Sequence, residues 1–167
     1  MHDELTKIDI QKMEEELEYR RLHLRPEIIE EVKRTRAFGD LSENYEYKAA
    51  KQAQRQNDSR MRYLENMIKT ATIIDDDAGA DEIGLFDKVT IYLEEDDEEQ
   101  VIQVVTTVRC DPSLGYISKE SPLGKALLGQ KVGARVTVEV SADYSYTLTV
   151  RSLQKGEDDG AAPLMQY

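Results

Sequence analysis

The chain has 167 residues, 40% of them hydrophobic and 34% charged, and no apolar run approaches the ~18–20 residues of a membrane span. The start of the sequence lacks the basic residues and apolar run of a secretory signal, and the single cysteine, Cys110, excludes an intrachain disulfide and a cysteine-cluster metal site. We therefore expect a soluble protein in a reducing, cytoplasmic compartment. The net charge of −12 would ordinarily argue against nucleic acid as a partner.

Residues 5–39 are predicted to form the first helical arm. Apolar residues recur at helical spacing along this stretch, Pro26 begins a fresh helical turn, and Gly39 ends it. Glu27, beside the proline, suits a helix N-terminus because its charge complements the helix dipole.

A second helix is predicted for residues 42–74, where neither proline nor glycine interrupts the chain. Asp40 or Ser42 is expected to cap it, and Asp40 with Glu43 has the spacing of a capping box. Small and apolar side chains repeat along it at heptad spacing. They are Ala50, Ala53, Asn57, Met61, Leu64, Ile68 and Ala71. Two long helices with narrow apolar stripes and a short bend predict an antiparallel coiled-coil hairpin over residues 1–74.

A polar stretch, residues 75–81, is predicted to be a linker to a second domain. The hydrophobic period then changes to two, and residues 82–154 are predicted to form a compact α+β domain with one antiparallel sheet and one short helix. The predicted strands are 88–93, 100–109, 116–118, 135–140 and 144–153. The helix begins at Ser121, followed by Pro122. Residues 155–167 are expected to be a disordered tail.

The charge is unevenly distributed between these parts. Residues 1–74 carry 14 basic and 15 acidic side chains, whereas residues 75–167 carry 8 and 19. Within the first part, residues 33–62 have a local net charge of +4. The overall charge therefore conceals a basic region around the bend.

Three carboxylates, Asp40, Glu43 and Glu46, lie at the bend between the helices. The structural interpretation is that they cap the second helix and complement its dipole. The functional interpretation is that a long hairpin carries them to a distant site, because one acid suffices for a cap. Three carboxylates alone make a poor high-affinity magnesium site, so the bend is better suited to completing a metal site on another molecule.

The basic residues around the bend also have two interpretations. Some, such as Arg34 with Glu30, have the spacing of a helix ion pair. Others, namely Arg55, Arg60 and Arg62, lack an obvious acidic partner on their own helix and are candidates for phosphate contacts. Tyr45 and Tyr47 could stack on a base, although Tyr47 can equally pack between the helices.

Two groups of residues form recognisable signatures. The first group comprises Arg25-Pro26-Glu27-Ile28-Ile29, Gly39-Asp40-Leu41-Ser42-Glu43-Asn44, Glu46-Tyr47 and Ala49-Ala50. The second comprises Ile117-Ser118, Ser121-Pro122-Leu123, Ala126-Leu127-Leu128-Gly129 and Lys131-Val132-Gly133. Together they resemble the Gre transcript cleavage factors of bacterial RNA polymerase, and the resemblance extends from about Leu5 to Leu153. Two signatures in this order make a chance match improbable. Tyr45 departs from the family pattern, which often has a small residue there.

The resemblance implies a transcription elongation factor whose hairpin enters the secondary channel of bacterial RNA polymerase, while an FKBP-like second domain docks at the channel entrance. It implies that Asp40 helps to hold the second Mg²⁺ of the polymerase active site and that Glu43 positions the attacking water. The factor would have no cofactor of its own and would act as a monomer on the 3′ end of nascent RNA. It would be an accessory factor and not an enzyme, because the polymerase active site performs the hydrolysis.

Further site residues are carried over by the same resemblance. The supporting positions at the bend are Ser42, Asn44, Glu46 and Tyr47. The candidates for RNA contacts are Arg34, Arg36, Lys48, Lys51 and Arg55. The positions expected to contact polymerase are Glu120, Ser121 and Pro122. Asp40 and Glu43 would be metal ligands only within the polymerase active site. The resemblance also carries the expectation of DNA binding.

Three other functions stay open on the sequence, although the presence of both Asp40 and Glu43 favours cleavage. The chain could occupy the channel and inhibit polymerase, its acids only blocking the channel or sequestering metal. It could be a peptidyl-prolyl isomerase, but residues 82–154 offer an aromatic pocket only one Phe, four Tyr and no Trp. It could be a plain coiled-coil scaffold, in which case Asp40→Ala would change nothing.

Overall fold

The structure, a computed structural model, describes residues 3–39 and 43–166. The chain divides into two units. The helical unit is Met1–Asp3 with Ile10–Thr72, and the sheet unit is Glu4–Asp9 with Ile73–Tyr167. The segment Glu4–Asp9, which was predicted to belong to the hairpin, is thus part of the sheet unit. Within the described part of the chain, no helix is both long and apolar enough to cross a bilayer.

Three helical segments follow one another without a break before the bend. After β1 (Glu4–Leu5) they are α1 (Lys7–Tyr19), a π-helical segment (Arg20–Leu24) and α2 (Arg25–Arg36). In the π-helical turn the Arg25 N–H donates to the Arg20 carbonyl, directly before Pro26. Proline has no N–H for the usual helical bond, and one wider turn accommodates it. The fresh start predicted at Pro26 is therefore a local change of pitch in a continuous helical run.

The second arm is one helix, α3 (Tyr45–Thr70), whose 26 residues span about 39 Å at ~1.5 Å per residue. It is shorter at both ends than the predicted 42–74. Its buried side chains are Ala50, Asn57, Arg60, Met61, Leu64 and Met67. The heptad pattern identified most of this face, but Met67 is buried where Ile68 was expected, and Ile68 is only half-buried.

Hydrogen bonds between the arms show that they run antiparallel. Near the bend, the Asn44 side chain donates to the Thr35 carbonyl at 2.7 Å. Farther along, the Arg60 guanidinium donates to both carboxylate oxygens of Glu16 at 2.7 and 3.1 Å. As the position in the second arm rises, the position of its partner in the first arm falls, which defines the predicted antiparallel hairpin.

A polar cluster lies on the buried stripe of the hairpin. Arg20 donates to Glu16 at 2.8 Å and to Asn57 at 2.9 Å, and Arg60 shares the same Glu16 carboxylate. Arg60 is only 7% exposed, so its charge needs this partner. Arg60 was expected to lack an acidic partner on its own helix. Its partner lies on the other arm, and Arg60 is therefore a structural residue.

The chain forms a small two-stranded sheet and, within the sheet unit, a larger five-stranded one. The small sheet pairs β1 with β2 (Thr72–Ile73). The strands of the large sheet are β3 (Lys88–Leu93), β4 (Glu98–Val105), β5 (Tyr116–Ser118), β6 (Arg135–Glu139) and β7 (Ser145–Gln154). They lie in the order β5-β4-β3-β7-β6.

The large sheet is mixed, whereas an antiparallel one was predicted. Every neighbouring pair is antiparallel except β4 and β5, which run parallel. Residues 106–115 connect these two strands through two short 3₁₀ turns, Thr107–Arg109 and Pro112–Leu114. This connection carries the chain back to the end of the sheet at which β4 begins, so that β5 can run in the same direction as β4. The predicted strand 100–109 accordingly ends at Val105.

One hydrophobic core holds the sheet unit together. The short helix α4 (Pro122–Leu127) contributes Leu127, which is fully buried with strand residues such as Val89, Ile91 and Leu148. The alternating burial of β6 agrees with the predicted period of two, because its outward residues are exposed and its inward residues are buried. The predicted α+β fold, a helical hairpin followed by a sheet with one short helix, is confirmed in this form.

The predicted linker, residues 75–81, contains neither helix nor strand. It is nevertheless packed, because Asp76 lies against Gly84. A Cβ added at Gly84 would lie 2.5 Å from both carboxylate oxygens of Asp76. A side chain at position 84 would therefore displace this stretch.

The tail packs on the sheet unit, which corrects the disorder predicted for residues 155–167. Arg109 is fully buried and forms two hydrogen bonds with the Asp158 carboxylate. The Arg109 Nε also donates to the Ala162 carbonyl at 2.8 Å, and Ala162 is 2% exposed. A buried cation requires acceptors of this kind, and residues 158–162 supply them.

Candidate functional site

The bend (residues 37–44) begins where α2 ends. Gly39 has a φ of +106°, in the left-handed region that glycine adopts without strain. Phe38, the residue before Gly39, is 61% exposed. Thr35 is the last buried residue of α2, and its hydroxyl donates to the Glu31 carbonyl at 2.8 Å.

Asn44 joins the two arms at the bend. Its Oδ1 accepts from the Tyr47 N–H at 2.9 Å, which makes it the N-cap of α3, and its Nδ2 donates to the Thr35 carbonyl at 2.7 Å. One amide side chain therefore caps the second helix and holds it against the first. The predicted cap was Asp40 or Ser42. The cap is at Asn44 because α3 starts directly after it, and the free N–H groups of the first turn are within its reach.

We expect Asn44→Asp to keep the cap but lose the bond to Thr35, destabilising the hairpin by about 1 kcal/mol. Asn44→Ala loses both bonds and is expected to cost about 2 kcal/mol. Thermal unfolding of the helical circular-dichroism signal measures both effects. Gln52→Glu, the same amide-to-acid change at an exposed position of α3, is the control. Equal stability of Asn44→Asp and the wild type would show that the bond to Thr35 contributes nothing.

The acidic residues at the bend differ in how free their carboxylates are. Glu43 is exposed and has no ion-pair partner among the described residues. Glu46, in the first turn of α3, lies 3.6 Å from the Arg34 guanidinium. Asp40 and Ser42 lie outside the described residues, so their roles stay predictions. Within the described part of the bend, Glu43 is thus the carboxylate available to another molecule.

Arg34, a predicted RNA contact, is engaged within the hairpin. It donates to the two Glu31 oxygens at 2.9 and 2.5 Å, and these hydrogen bonds lower the pKa of the Glu31 carboxyl below its ordinary value. Its guanidinium also lies 5.2 Å from the centre of the Phe38 ring. Arg34 was predicted to pair with Glu30. In the structure Glu30 pairs with Lys33 instead, at 3.4 Å. Arg34 therefore orders the end of the first arm.

The other predicted RNA contacts are freer. Lys51 donates to a neighbouring glutamine at 3.0 Å, and the Lys48 ammonium lies 5.6 Å from the centre of the Tyr45 ring. Arg36 and Arg55 are exposed, and neither has an ion-pair partner in the described part of the chain. Among the described residues, no nearby carboxylate neutralises the charge of these four cations.

The predicted polymerase contacts form an ordered loop before α4. Ser121 is the N-cap of α4, because its Oγ accepts from the Gly124 N–H at 3.0 Å, and the same hydroxyl donates to the Ser118 carbonyl at 2.6 Å. A Cβ added at Gly124 would lie 2.1 Å from the Ser118 carbonyl oxygen, so this close approach requires glycine. Ser121 and Pro122, at the start of the helix, therefore determine the shape of the loop.

Glu120 presents the charge of this loop. Its side chain is 55% exposed and lies between Lys119 at 3.1 Å and Lys125 at 3.6 Å. The hydrogen bond from Lys119 is the main reason that the pKa of the Glu120 carboxyl is lowered. Glu120 is therefore ionised and accessible at neutral pH.

The described residues offer no metal site of their own. Among them, no group of three or more His, Cys, Asp or Glu side chains is arranged to hold a metal ion. Glu43 and Glu46 alone are too few for Mg²⁺, which prefers six oxygen ligands in an octahedron. The donor set at the bend fits a contribution to a metal site on another molecule.

These features define a class of protein: a helical hairpin with a free acid at its bend, followed by a separate unit with a mixed sheet. Two family models match the chain. "Transcription elongation factor, N-terminal" matches residues 4–73, and "Transcription elongation factor, GreA/GreB, C-term" matches residues 78–155. The chain therefore belongs to the GreA/GreB family of transcription elongation factors, and the resemblance found in the sequence is confirmed.

Individual relatives agree with this assignment. Transcription elongation factor GreA of Bacillus subtilis (strain 168) is 46% identical over 129 residues, which cover 77% of this chain and 82% of the relative. GreA of Streptococcus pneumoniae serotype 4 (strain ATCC BAA-334 / TIGR4) is 40% identical over 152 residues, covering 90% and 94%. The solved structure of GreA factor homolog 1 (Gfh1) of Thermus thermophilus is 25% identical and covers 93% of this chain and all of that one, with a TM-score of 0.42. The family assignment rests on the sequence matches.

Proposed function

We propose that this chain binds bacterial RNA polymerase, places the bend of its hairpin in the secondary channel and stimulates cleavage of backtracked RNA 3′ ends by the polymerase. The observation that carries the proposal is the exposed Glu43 carboxylate, directly before the cap residue Asn44 at the end of a long hairpin. The GreA names of the relatives support a role in transcription elongation.

The chemistry of this position suits RNA hydrolysis. A carboxylate can accept a hydrogen bond from an attacking water and begin to remove its proton. Asn44 fixes the backbone next to Glu43 through two hydrogen bonds, so the base of the Glu43 side chain is anchored while its carboxylate stays exposed. Mg²⁺ ions in the polymerase active site would supply the electrostatic stabilisation that phosphodiester hydrolysis needs. Asp40 and Glu43 would be the residues of this chain that contact the second ion.

Binding and catalysis are assigned to different units. Glu120 on its ordered loop is the proposed contact with polymerase, and Arg36 and Arg55 are proposed to contact the RNA phosphates. The chain would act as an accessory factor and as a monomer. DNA binding and a cytoplasmic location stay predictions.

Stalled, backtracked complexes of bacterial RNA polymerase test the proposal. With the full-length chain and Mg²⁺, 5′-labelled RNA is expected to become shorter and synthesis to resume. RNA of unchanged length, together with slowed synthesis, would contradict the proposal and favour the alternative in which the chain occupies the channel and inhibits.

The isomerase alternative has little support in the sheet unit. A larger cavity of about 580 Å³ is lined mainly by acidic and aliphatic side chains and, among the described residues, by no aromatic one. The aromatic-lined cavity beside Tyr144 and Tyr146 has a volume of about 120 Å³. Small-molecule and peptide pockets usually reach several hundred Å³. A proline-peptide isomerisation assay on the whole chain remains the direct test of this activity.

We expect Arg55→Ala to weaken the stimulation of cleavage and to make it less sensitive to salt. A lost phosphate contact releases one counterion fewer, so the slope of log affinity against log salt concentration falls by about one unit. Titrations of the chain into stalled complexes at several salt concentrations measure this slope. Lys69→Ala, at an exposed position in the last turn of α3, is the control. An unchanged slope for Arg55→Ala would remove Arg55 from the RNA contacts.

A further inference from the structure

Tyr45 is the most exposed large apolar side chain among the described residues, at 80%. It is the first residue of α3 and directly follows the cap residue Asn44. Its backbone is therefore held by the hydrogen bonds of the cap, whereas the surface of its ring is left almost entirely uncovered. An aromatic ring with a fixed base and a free face is suited to stacking on a flat partner.

A cation accompanies the ring. The Lys48 ammonium lies over the ring at 5.6 Å from its centre and has no ion-pair partner in the described part of the chain. Phe38 has a comparable neighbour in Arg34, but the charge of Arg34 is already balanced by two glutamates. Tyr45 with Lys48 is thus the aromatic and cationic pair at the bend that retains an unbalanced positive charge.

Glu43 and Tyr45 are separated by a single residue. A group that binds the Tyr45 ring is therefore placed close to the carboxylate to which the chemistry is assigned. An unpaired nucleotide presents a flat base and a phosphate, and aromatic side chains with neighbouring cations are the usual elements that bind it.

We propose that Tyr45 stacks on the terminal unpaired base of the extruded RNA, with Lys48 near its phosphate, and so positions the phosphodiester beside Glu43. This inference rests on the proposed function, because it assigns the RNA 3′ end as the ligand of the bend. Tyr45 would be a substrate-positioning residue, and its contribution would depend on the presence of a base at the RNA 3′ end.

Fluorescence tests the stacking separately from the cleavage. A backtracked complex carries 2-aminopurine as its 3′-terminal base, and the chain is added as Glu43→Gln so that the RNA stays intact. Stacking on the ring is expected to lower the fluorescence. Tyr45→Ala in the same background is expected to abolish the decrease, and Tyr45→Phe to preserve it. Equal fluorescence with Glu43→Gln and with Glu43→Gln/Tyr45→Ala at saturation would overturn the inference.

Cleavage rates give the second measurement. The wild type is expected to cleave an RNA with a normal 3′ base about tenfold faster than one with an abasic 3′ nucleotide, since stacking on one base typically contributes this much. Tyr45→Ala is expected to cleave both at the same rate, and Tyr19→Ala, at another exposed tyrosine, to keep the wild-type ratio. The same ratio for Tyr45→Ala and the wild type would contradict the inference. If the fluorescence change depended on Tyr45 but the wild type stimulated no cleavage, the proposed function would be refuted and the stacking would still be supported.

Discussion

Glu43→Gln is expected to lower the stimulated RNA cleavage by about 10²–10⁴-fold, the usual contribution of a positioned general base. Glutamine has nearly the same size, but it lacks the negative charge that attracts the proton of the attacking water. Glu43 has no ion-pair partner among the described residues, so its replacement breaks no salt bridge of the hairpin. Cleavage of 5′-labelled RNA in stalled complexes measures the effect. The family resemblance predicts the same result for Asp40→Asn.

The affinity for polymerase is expected to stay unchanged in this variant, because docking is assigned to the sheet unit. Glu27→Gln is the matched control, since it makes the same change at an exposed glutamate of α2. It should retain wild-type cleavage. If Glu43→Gln lost polymerase binding together with cleavage, the assignment of chemistry to the bend and of docking to Glu120 would be wrong.

Asp158→Ala is expected to destabilise the sheet unit by about 3 kcal/mol, the usual cost of removing one partner of a buried ion pair. Arg109 is fully excluded from solvent, and the Asp158 carboxylate accepts two of its hydrogen bonds. The remaining carboxylate, Asp9, contacts only one guanidinium nitrogen, at 3.3 Å, and does not replace the two hydrogen bonds that Asp158 accepts. The free energy of unfolding lost in Asp158→Ala should therefore exceed the contribution of an exposed salt bridge, which is typically below about 1 kcal/mol.

Hydrogen exchange is the most specific measurement of this effect. The Met165 N–H donates to the Val108 carbonyl at 2.7 Å, and this bond depends on the packing of the tail. We expect its protection to be lost in Asp158→Ala, together with a lower urea midpoint. Glu157→Ala, an exposed neighbour with the same type of truncation, should change neither. Unchanged protection of Met165 in Asp158→Ala would mean that the ion pair does not hold the tail.

The hairpin could be predicted because its signals are local. Heptad spacing identified Ala50, Met61 and Leu64 as buried, since side chains three or four residues apart share one face of a helix. Spacing along one helix gave Arg60 no acidic partner, so the sequence made it a candidate for phosphate contacts. Its partner Glu16 is 44 residues away, and helical periodicity gives no information on which polar residues meet across two arms.

In the sheet unit, too, pairings between residues far apart in the sequence could not be predicted. Alternation predicted the strands, but the parallel pairing of β4 and β5 depends on the path of residues 106–115, which has no simple sequence signal. The tail was predicted to be disordered from its composition and terminal position. Asp158 and Arg109 are 49 residues apart, so the ion pair that orders the tail could not be read from local pattern.

At the site, candidate residues could be named from the sequence, but their geometry could not. Acidic residues at a bend identified Glu43 as a candidate because no structural requirement explains so many carboxylates there. The double role of Asn44 was missed, since its second acceptor is a backbone carbonyl of the other arm. Exposure then separated Tyr45 from the half-buried Tyr47, which the sequence alone could not do.

Competition between the wild type and Glu43→Gln tests the central claim most directly. A fixed amount of wild-type chain is added to stalled complexes with Mg²⁺ and increasing amounts of the variant, and the rate of RNA shortening is measured. If the bend supplies the chemistry while the rest of the chain supplies the affinity, the rate will fall in proportion to the fraction of polymerase occupied by the variant. A rate that does not change as the variant accumulates, or a variant that shortens RNA as fast as the wild type, would contradict the account.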